Sequence, residues 1–425
     1  MFADFLQGIL ADLDRRNLRR RMRVSDSPTG PAVRFGRRTL HNFASNDYLG
    51  LASHRDVIEA AVRAAREYGA GAGASRLVAG SQRPHRALEE QLAGFKQTQA
   101  ALVFGNGYAA GTGTLAALAG AGDVILPDRL AHACLVDGAR FSGALMRPWR
   151  HNDPDDLEHH LRWARRKKPQ ARIFIVTESV FSMDGDIAPL REIVGLKDRH
   201  GAILMLDEAH AVGVLGRGGR GLADELNLGA RIEIQMGTLG KALGSSGGYI
   251  AGSRDLIDAV ANRARSFIFS TAAPAATAAA ASAALDICSG PEGDLRRARL
   301  HEMASLLDPA MRAAIMPLIL GSEEEALRGS EALNDLGFLV PAIRPPAVPK
   351  GTSRLRVSLS AAHDTDTVRQ LAGHLRTLPR DGAEPGANPD AVCPVCGAPL
   401  VQEKCKVICR SAVCGYRIVF NCSEF

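Results

Sequence analysis

A single lysine sits where packing alone rarely wants one. The segment Gly237-Thr238-Leu239-Gly240-Lys241-Ala242-Leu243-Gly244 encloses a long cation in a tight, apolar, glycine-rich turn. Crowding and desolvation there lower an amine's pKa and free its lone pair, which is what a lysine needs to condense with a carbonyl group. The competing reading is the phosphate loop of nucleotide hydrolases. That loop needs glycine at position 235 and a hydroxyl residue at 242, and the chain has Gln235 and Ala242.

An acid sits in a matching place. Asp207-Glu208-Ala209-His210 follows the apolar run Ala202-Ile203-Leu204-Met205-Leu206. Asp207 therefore closes a predicted buried strand, at the end where open α/β sheets bind ligands. A carboxylate there holds a pyridinium nitrogen protonated and makes such a ring an electron sink. Asn106-Gly107-Tyr108 follows another apolar run, Ala101–Phe104, and opens a small-residue helix whose first N–H groups suit a phosphate. Gly105-x-Gly107-x-x-Ala110 also fits a degenerate dinucleotide fingerprint, with Asp123 or Asp128 as the ribose acid. A nicotinamide-dependent dehydrogenase is thus a second reading, although it leaves Lys241 and Asp207 unexplained.

The elements that must carry these groups alternate in the manner of βαβ units. Apolar runs at Ala101–Phe104, Asp123–Pro127, Ile173–Thr177, Ile203–Asp207, Ile232–Gly237 and Gly248–Ala251 are read as leaving room for a helix in each gap. This pattern predicts an α/β fold, a mostly parallel sheet sandwiched by helices. Beyond residue 265 an alanine-rich helix, Pro274–Ile287, leads into a smaller α+β region. Its expected strands are Ile315–Leu320 and Leu355–Ser360, and its last helix Asp366–Thr377. The expected division is residues 1–40 as an N-terminal helical segment, 41–265 as the large domain, 266–378 as the small domain, 379–392 as a Pro- and Gly-rich linker, and 393–425 as a tail. Phe2, Phe5, Leu6, Ile9, Leu10 and Leu13 follow helical spacing and predict an amphipathic helix that packs on the protein itself.

With 425 residues, 46% of them apolar, the chain can bury a large core, and its charge of +6 is gathered partly in Arg15–Arg23. That run reads as a solvated helix face, not a nucleic-acid patch, and suits an anionic substrate. No apolar run approaches the ~20 residues a membrane span needs, and the N-terminus lacks a signal-peptide core. A cytoplasmic enzyme is expected. Eight cysteines are present. Cys134 and Cys288 stand alone, and the other six crowd between Cys393 and Cys422, which suggests a reducing compartment and a metal site.

These residues resemble the α-oxoamine synthases, a group of fold-type I pyridoxal-phosphate (PLP) enzymes, over roughly residues 1 to 378. The resemblance rests on Asn46-Asp47-Tyr48-Leu49-Gly50-Leu51, Gly69–Gly80 with His85, Asp128–Ala133, Glu178–Gly185, Asp207–Gly213 and Gly237–Lys241 in order. It implies that Lys241 carries the cofactor and moves the substrate's Cα proton, with Asp207 facing the ring nitrogen. It also implies that His132 stacks on the ring, and that His210 and Ser182 orient the phenolic oxygen and the acyl group. Thr238, Asn106, Gly107 and Tyr108 would hold the phosphate, with Thr271 doing so across a homodimer interface. Arg356 would grip the substrate carboxylate, with Arg344 and Asn46 as further substrate contacts.

Within the group, Phe269–Pro274, Ile343-Arg344-Pro345-Pro346 and Gly351–His363 resemble the member that condenses L-alanine with pimeloyl-CoA or a pimeloyl-carrier protein. Ala347 departs from it, standing where threonine is expected after the two prolines. Gly237–Gly248 is also similar to the member that joins glycine to acetyl-CoA.

The tail departs from the family core. Cys393-Pro394-Val395-Cys396 and Cys409-x4-Cys414 have the spacing of a tetrahedral Zn²⁺ site, with Cys405 and Cys422 as further candidates. Lys406–Ile408 and Arg417–Phe420 are the expected strands of a short zinc-ribbon-like tail. Such a tail is too small for a core of its own and needs a staple. A non-catalytic nucleic-acid- or partner-binding role led by this tail is the third reading.

Overall fold

The apolar runs become the strands of one seven-stranded sheet. In the computed structural model its order is Ala100–Phe104, Gly248–Gly252, Ile234–Thr238, Ile203–Asp207, Ile173–Glu178, Val124–Pro127 and Leu145–Met146. Only Gly248–Gly252 runs against its neighbours; the ladders from Ile234–Thr238 to Leu145–Met146 are all parallel. Ile173–Glu178 is buried at every position, as a strand covered on both faces must be. Leu145–Met146 was not foreseen, being too short to leave a periodic signal.

The structure describes residues 1–378 and the strands at 400–403, 406–409 and 417–419. Two units emerge. The larger comprises Asn46–Ala314 with Leu359–Ala362, and the other Met1–Ser45, Ile315–Ser358 and the chain from His363 onward. The break therefore follows the alanine-rich helix instead of preceding it at 265. The reason is packing: helix Ala275–Ser289 lies against helices Arg55–Tyr68 and Arg83–Lys96 of the large unit. There the Gln91 amide donates to the Ser282 carbonyl at 3.2 Å.

In the second unit, Ser353–Ser358 is the middle strand between Ile315–Gly321 and Ala342–Ile343, both antiparallel to it. Helices Glu323–Asp335 and Thr365–Thr377 belong to the same unit, the latter capped by Asp364. The N-terminal helix forms as Phe2–Arg15, but the expected packing on the chain itself is not seen. None of its residues is buried, and Phe2 is 74% exposed. On its apolar face Phe2 and Phe5 stack on each other at 6.3 Å.

The tail strands Leu400–Glu403, Lys406–Cys409 and Arg417–Val419 form an antiparallel meander. The 379–392 linker, Cys393, Cys396 and Cys414 lie outside the described residues, as do Cys405 and Cys422, and Cys409 ends a strand. Among the described residues no helix is long and apolar enough to cross a membrane.

Candidate active site

Lys241 follows the end of the Ile234–Thr238 strand, and His210 lies in the turn after the adjacent Ile203–Asp207 strand. Lys241 Nζ donates to His210 Nε2 at 2.6 Å. On the far side of the imidazole, Tyr48 Oη lies 2.6 Å from His210 Nδ1 and donates its own proton to Asn46 Oδ1 at 3.1 Å. A phenol has one proton to give, so the Nδ1–H donates to Tyr48 and Nε2 accepts from the lysine. The four side chains form one chain of bonds with a single direction, ending on Asn46.

A second, wholly buried device holds His210. Glu208 pairs with Lys96 at 2.5 Å, with side-chain exposures of 0% and 2%. Glu208 also accepts the Ala223 N–H at 3.0 Å, and Lys96 donates to the Arg220 carbonyl at 2.5 Å. The 208–223 loop is thereby tied at both ends. Gly213 lets it pass the lysine segment: its φ is +82°, and a Cβ there would lie 2.4 Å from that of Ala242.

Asp207 is buried and accepts the Ala209 N–H at 2.9 Å. Burial raises its pKa, while Lys241 and that N–H pull it down. Beside it, in register on the neighbouring strand, stands Glu178. Burial, and then the Asp207 charge, push the Glu178 carboxyl far above the ordinary range. Its Oε1 accepts the His132 N–H at 2.7 Å. His132 caps helix Ala133–Phe141, its Nδ1 accepting the Cys134 N–H at 3.3 Å. Burial lowers its pKa against the pull of Asp207, which favours a neutral, stackable ring.

The third part is an anion-binding corner. Asn106 caps helix Gly107–Leu118 by accepting the Ala109 N–H at 2.8 Å. The first N–H groups of such a helix have no intrahelical acceptor and carry the positive end of its dipole. Thr238 is the side-chain neighbour: a Cβ on Gly107 would lie 3.7 Å from its Oγ1, which also accepts the Gly240 N–H at 3.3 Å. A Cβ on Gly248 would meet Gly107 Cα at 2.5 Å, so only glycine permits this approach.

Ser182 is half-buried in the turn that Phe181 N–H closes on the Asp186 carbonyl at 3.0 Å. The Tyr108 hydroxyl is turned to Asp137 at 2.5 Å, leaving its backbone N–H as what it brings to the corner. Thr271 is exposed and bridges Ser75 of the glycine-rich segment. Arg344 and Arg356 belong to the other unit. Arg356 is buried, with Nη1 donating to Ser358 Oγ at 2.7 Å. Arg344 is also buried and donates to the Asn17 carbonyl.

Residue types alone gave no role to Tyr48 or Glu178. Both lie in quoted motifs, and Glu178 ends a buried strand beside that of Asp207, which was the available signal.

The donor set suits PLP. Lys241 supplies the amine for its aldehyde, and Asp207 is a buried acid that a cationic ring nitrogen would hold ionised. His132 offers a flat neutral ring, and the Gly107 helix start with Thr238 offers donors for its phosphate. The dinucleotide reading does not survive the topology. The strand following the Gly107 helix should lie parallel beside Ala100–Phe104, whereas four strands separate Val124–Pro127 from it in the sheet, and Ala100–Phe104 is an edge strand paired with the reversed one.

Residues 38–375 match the family model "Aminotransferase class I and II", and the chain belongs to that family of fold-type I PLP enzymes. Curated relatives of this chain include 8-amino-7-oxononanoate synthases. The one from Geobacter sulfurreducens is 47% identical, covering 87% of this chain and 97% of its own. That from Burkholderia pseudomallei is 44% identical over 88% and 97%. Among solved structures, the Sphingomonas wittichii serine palmitoyltransferase aligns with a TM-score of 0.81 at 30% identity, over 89% of this chain and 97% of its own. The Francisella tularensis 8-amino-7-oxononanoate synthase aligns with a TM-score of 0.67 at 25% identity, over 79% and 96%.

Proposed function

We propose that this PLP-dependent acyltransferase condenses L-alanine with pimeloyl-CoA or a pimeloyl-carrier protein, releasing CO₂ and the free thiol and yielding 8-amino-7-oxononanoate, an early step of biotin synthesis. The observation that carries this reading is the 2.6 Å contact of Lys241 with His210 beside the buried Asp207, in a chain 47% identical to a named synthase.

Bound PLP supplies the electron sink for a carbanion at the amino acid's Cα. The protein's own groups do the rest. The Lys241 amine takes the Cα proton, and its bond to His210 holds it at one height. The Asn46–Tyr48–His210 chain fixes the imidazole's tautomer so that Nε2 faces the lysine. Asp207 keeps the ring-nitrogen proton in place, and Glu178 beside it holds the backbone N–H of His132. His132 covers the ring and excludes water from one face. Arg356 takes the amino acid's carboxylate, Arg344 and Asn46 act as further substrate contacts, and Ser182 orients the acyl group. The Gly107 helix start, with Asn106 and Tyr108, and Thr238 hold the phosphate, joined by Thr271 from a second subunit of a homodimer.

The tail cysteines Cys393, Cys396, Cys409 and Cys414 hold a structural Zn²⁺; their spacing and the strand pairing around Lys406–Cys409 support this. Metal analysis of the purified chain and of a version ending at Pro379 tests it. The enzyme works in the cytoplasm, where Cys134 and Cys288 stay as the free thiols they are.

Thiol release across a panel of amino acids and acyl donors is the deciding assay. L-Alanine with pimeloyl-CoA is expected to give the highest kcat/KM. Faster turnover of glycine with acetyl-CoA would instead assign the acetyltransfer.

A further inference from the structure

One charged cluster lies outside the site just described. His151 directs Nδ1 at Asp128 Oδ1, 2.9 Å away, and Nε2 at Asp186 Oδ2, 2.7 Å away. A neutral imidazole has one donor, so two carboxylate partners require the doubly protonated ring. The next residue repeats the bridge. Asn152 has a φ of +50°, which turns its N–H to Asp128 Oδ2 at 3.0 Å while its amide reaches Asp186 Oδ2 at 2.7 Å. Asp128 is fully buried, and its Oδ1 also accepts the Leu130 N–H at 2.8 Å. The His151 and Phe181 rings meet at right angles, with centroids 4.4 Å apart.

The two ends of this bridge belong to the segments that carry site residues. Asp128 opens the turn to His132. Asp186 closes the turn that holds Ser182, through its carbonyl and the Phe181 N–H. We infer that His151, bonded through both ring nitrogens to Asp128 and Asp186, is a positioning residue that sets the His132 segment against the Ser182 segment for the condensation. This rests on the functional reading above, which places His132 and Ser182 at the cofactor and the acyl group.

The charge is built to persist. Burial pulls the ring's pKa down, but the hydrogen bonds and charges of Asp128 and Asp186 overcome it and hold it at about 10. The facing groups are those two acids, the Asn152 amide and the Phe181 ring. A folded value above the ordinary 6.5 stabilises the protein fully below pH 6.5, and this contribution is lost as pH rises toward about 10.

The test uses the PLP-loaded full chain and His151→Gln, which keeps one donor. The variant is expected to lose roughly tenfold to a hundredfold in kcat/KM for the acyl thioester, mostly in kcat. Its visible circular dichroism, which reports the seating of the bound chromophore, is expected to change. Histidine-ring NMR should show one ring still protonated at pH 8.5 in the parent and missing in the variant. Should His151→Gln fold poorly, Asp186→Asn takes its place; it keeps an acceptor and is expected to lower that ring's pKa and shift the dichroism partway. Unchanged dichroism and kcat in a folded variant, or no ring protonated at pH 8.5, overturns the proposal. The NMR readout needs no substrate. A parent that shows the protonated ring but no thiol release with any acyl donor would therefore count against the functional reading and not against the bridge.

Discussion

Lys96→Met isolates the energetics beneath His210. The variant leaves Glu208 wholly buried, with the Ala223 N–H as its remaining bond in this cluster, and removes the donor to the Arg220 carbonyl. Stranding one member of a buried pair costs about 3–5 kcal/mol, because an uncompensated charge stays out of water. In a unit the size of Asn46–Ala314, each kcal/mol moves the melting temperature by roughly 2 °C, so a fall of roughly 6–10 °C is expected. Adding Glu208→Gln removes the stranded charge while keeping a carbonyl oxygen for Ala223. The double variant is therefore expected to melt above Lys96→Met alone. Thermal unfolding followed by far-UV circular dichroism measures both, and kcat should fall in Lys96→Met because the His210 loop loses an anchor. A single variant melting within about 1 °C of the parent, or a double variant that is worse by the sum of two independent losses, would refute the coupling.

Lys241→Ala is expected to abolish both the blue-violet absorbance of the purified protein and all thiol release, read by spectrophotometry and a thiol assay. Asp207→Asn should still bind PLP but lose roughly 10²–10³ in kcat, since a preorganised charge at the reacting system is removed. Acid should destabilise the fold through buried histidines. Burial holds His363 and His160 at about 4, below the usual 6.5, so the unfolded chain binds their protons first. Stability is then full above pH 6.5 and falls toward pH 4. His363→Gln, which keeps a donor for the Asn42 carbonyl now bonded at 2.9 Å, is expected to flatten melting temperature against pH in that window.

The strands were legible because a strand buried on both faces reads as an unbroken apolar run; Ile203–Asp207 was placed to the residue. Lys241 and Asp207 were legible because a cation in a glycine turn and an acid at a strand end each lack a packing reason. The order of strands was not, since the pairing of Gly248–Gly252 between Ile234–Thr238 and Ala100–Phe104 depends on contacts nearly 150 residues apart in the chain. The Tyr48–His210 bond has the same cause, with 162 residues between its partners. Glu178 was hidden because its significance lies in its register with Asp207 on the neighbouring strand, which neither strand's own residues reveal. The N-terminal helix was legible as a helix from its period, but period says nothing about what covers its face.

The reversed strand has a consequence for biosynthesis. The corner that offers donors to a phosphate joins Gly107, Thr238 and Gly248, and the last of these enters only when the ladder between residues 100–104 and 248–252 has closed. A nascent chain emerging from the ribosome therefore cannot complete that corner until more than half its length has been made. Vitamin uptake becomes a late event, and a checkpoint on whether the sheet has assembled in the right order.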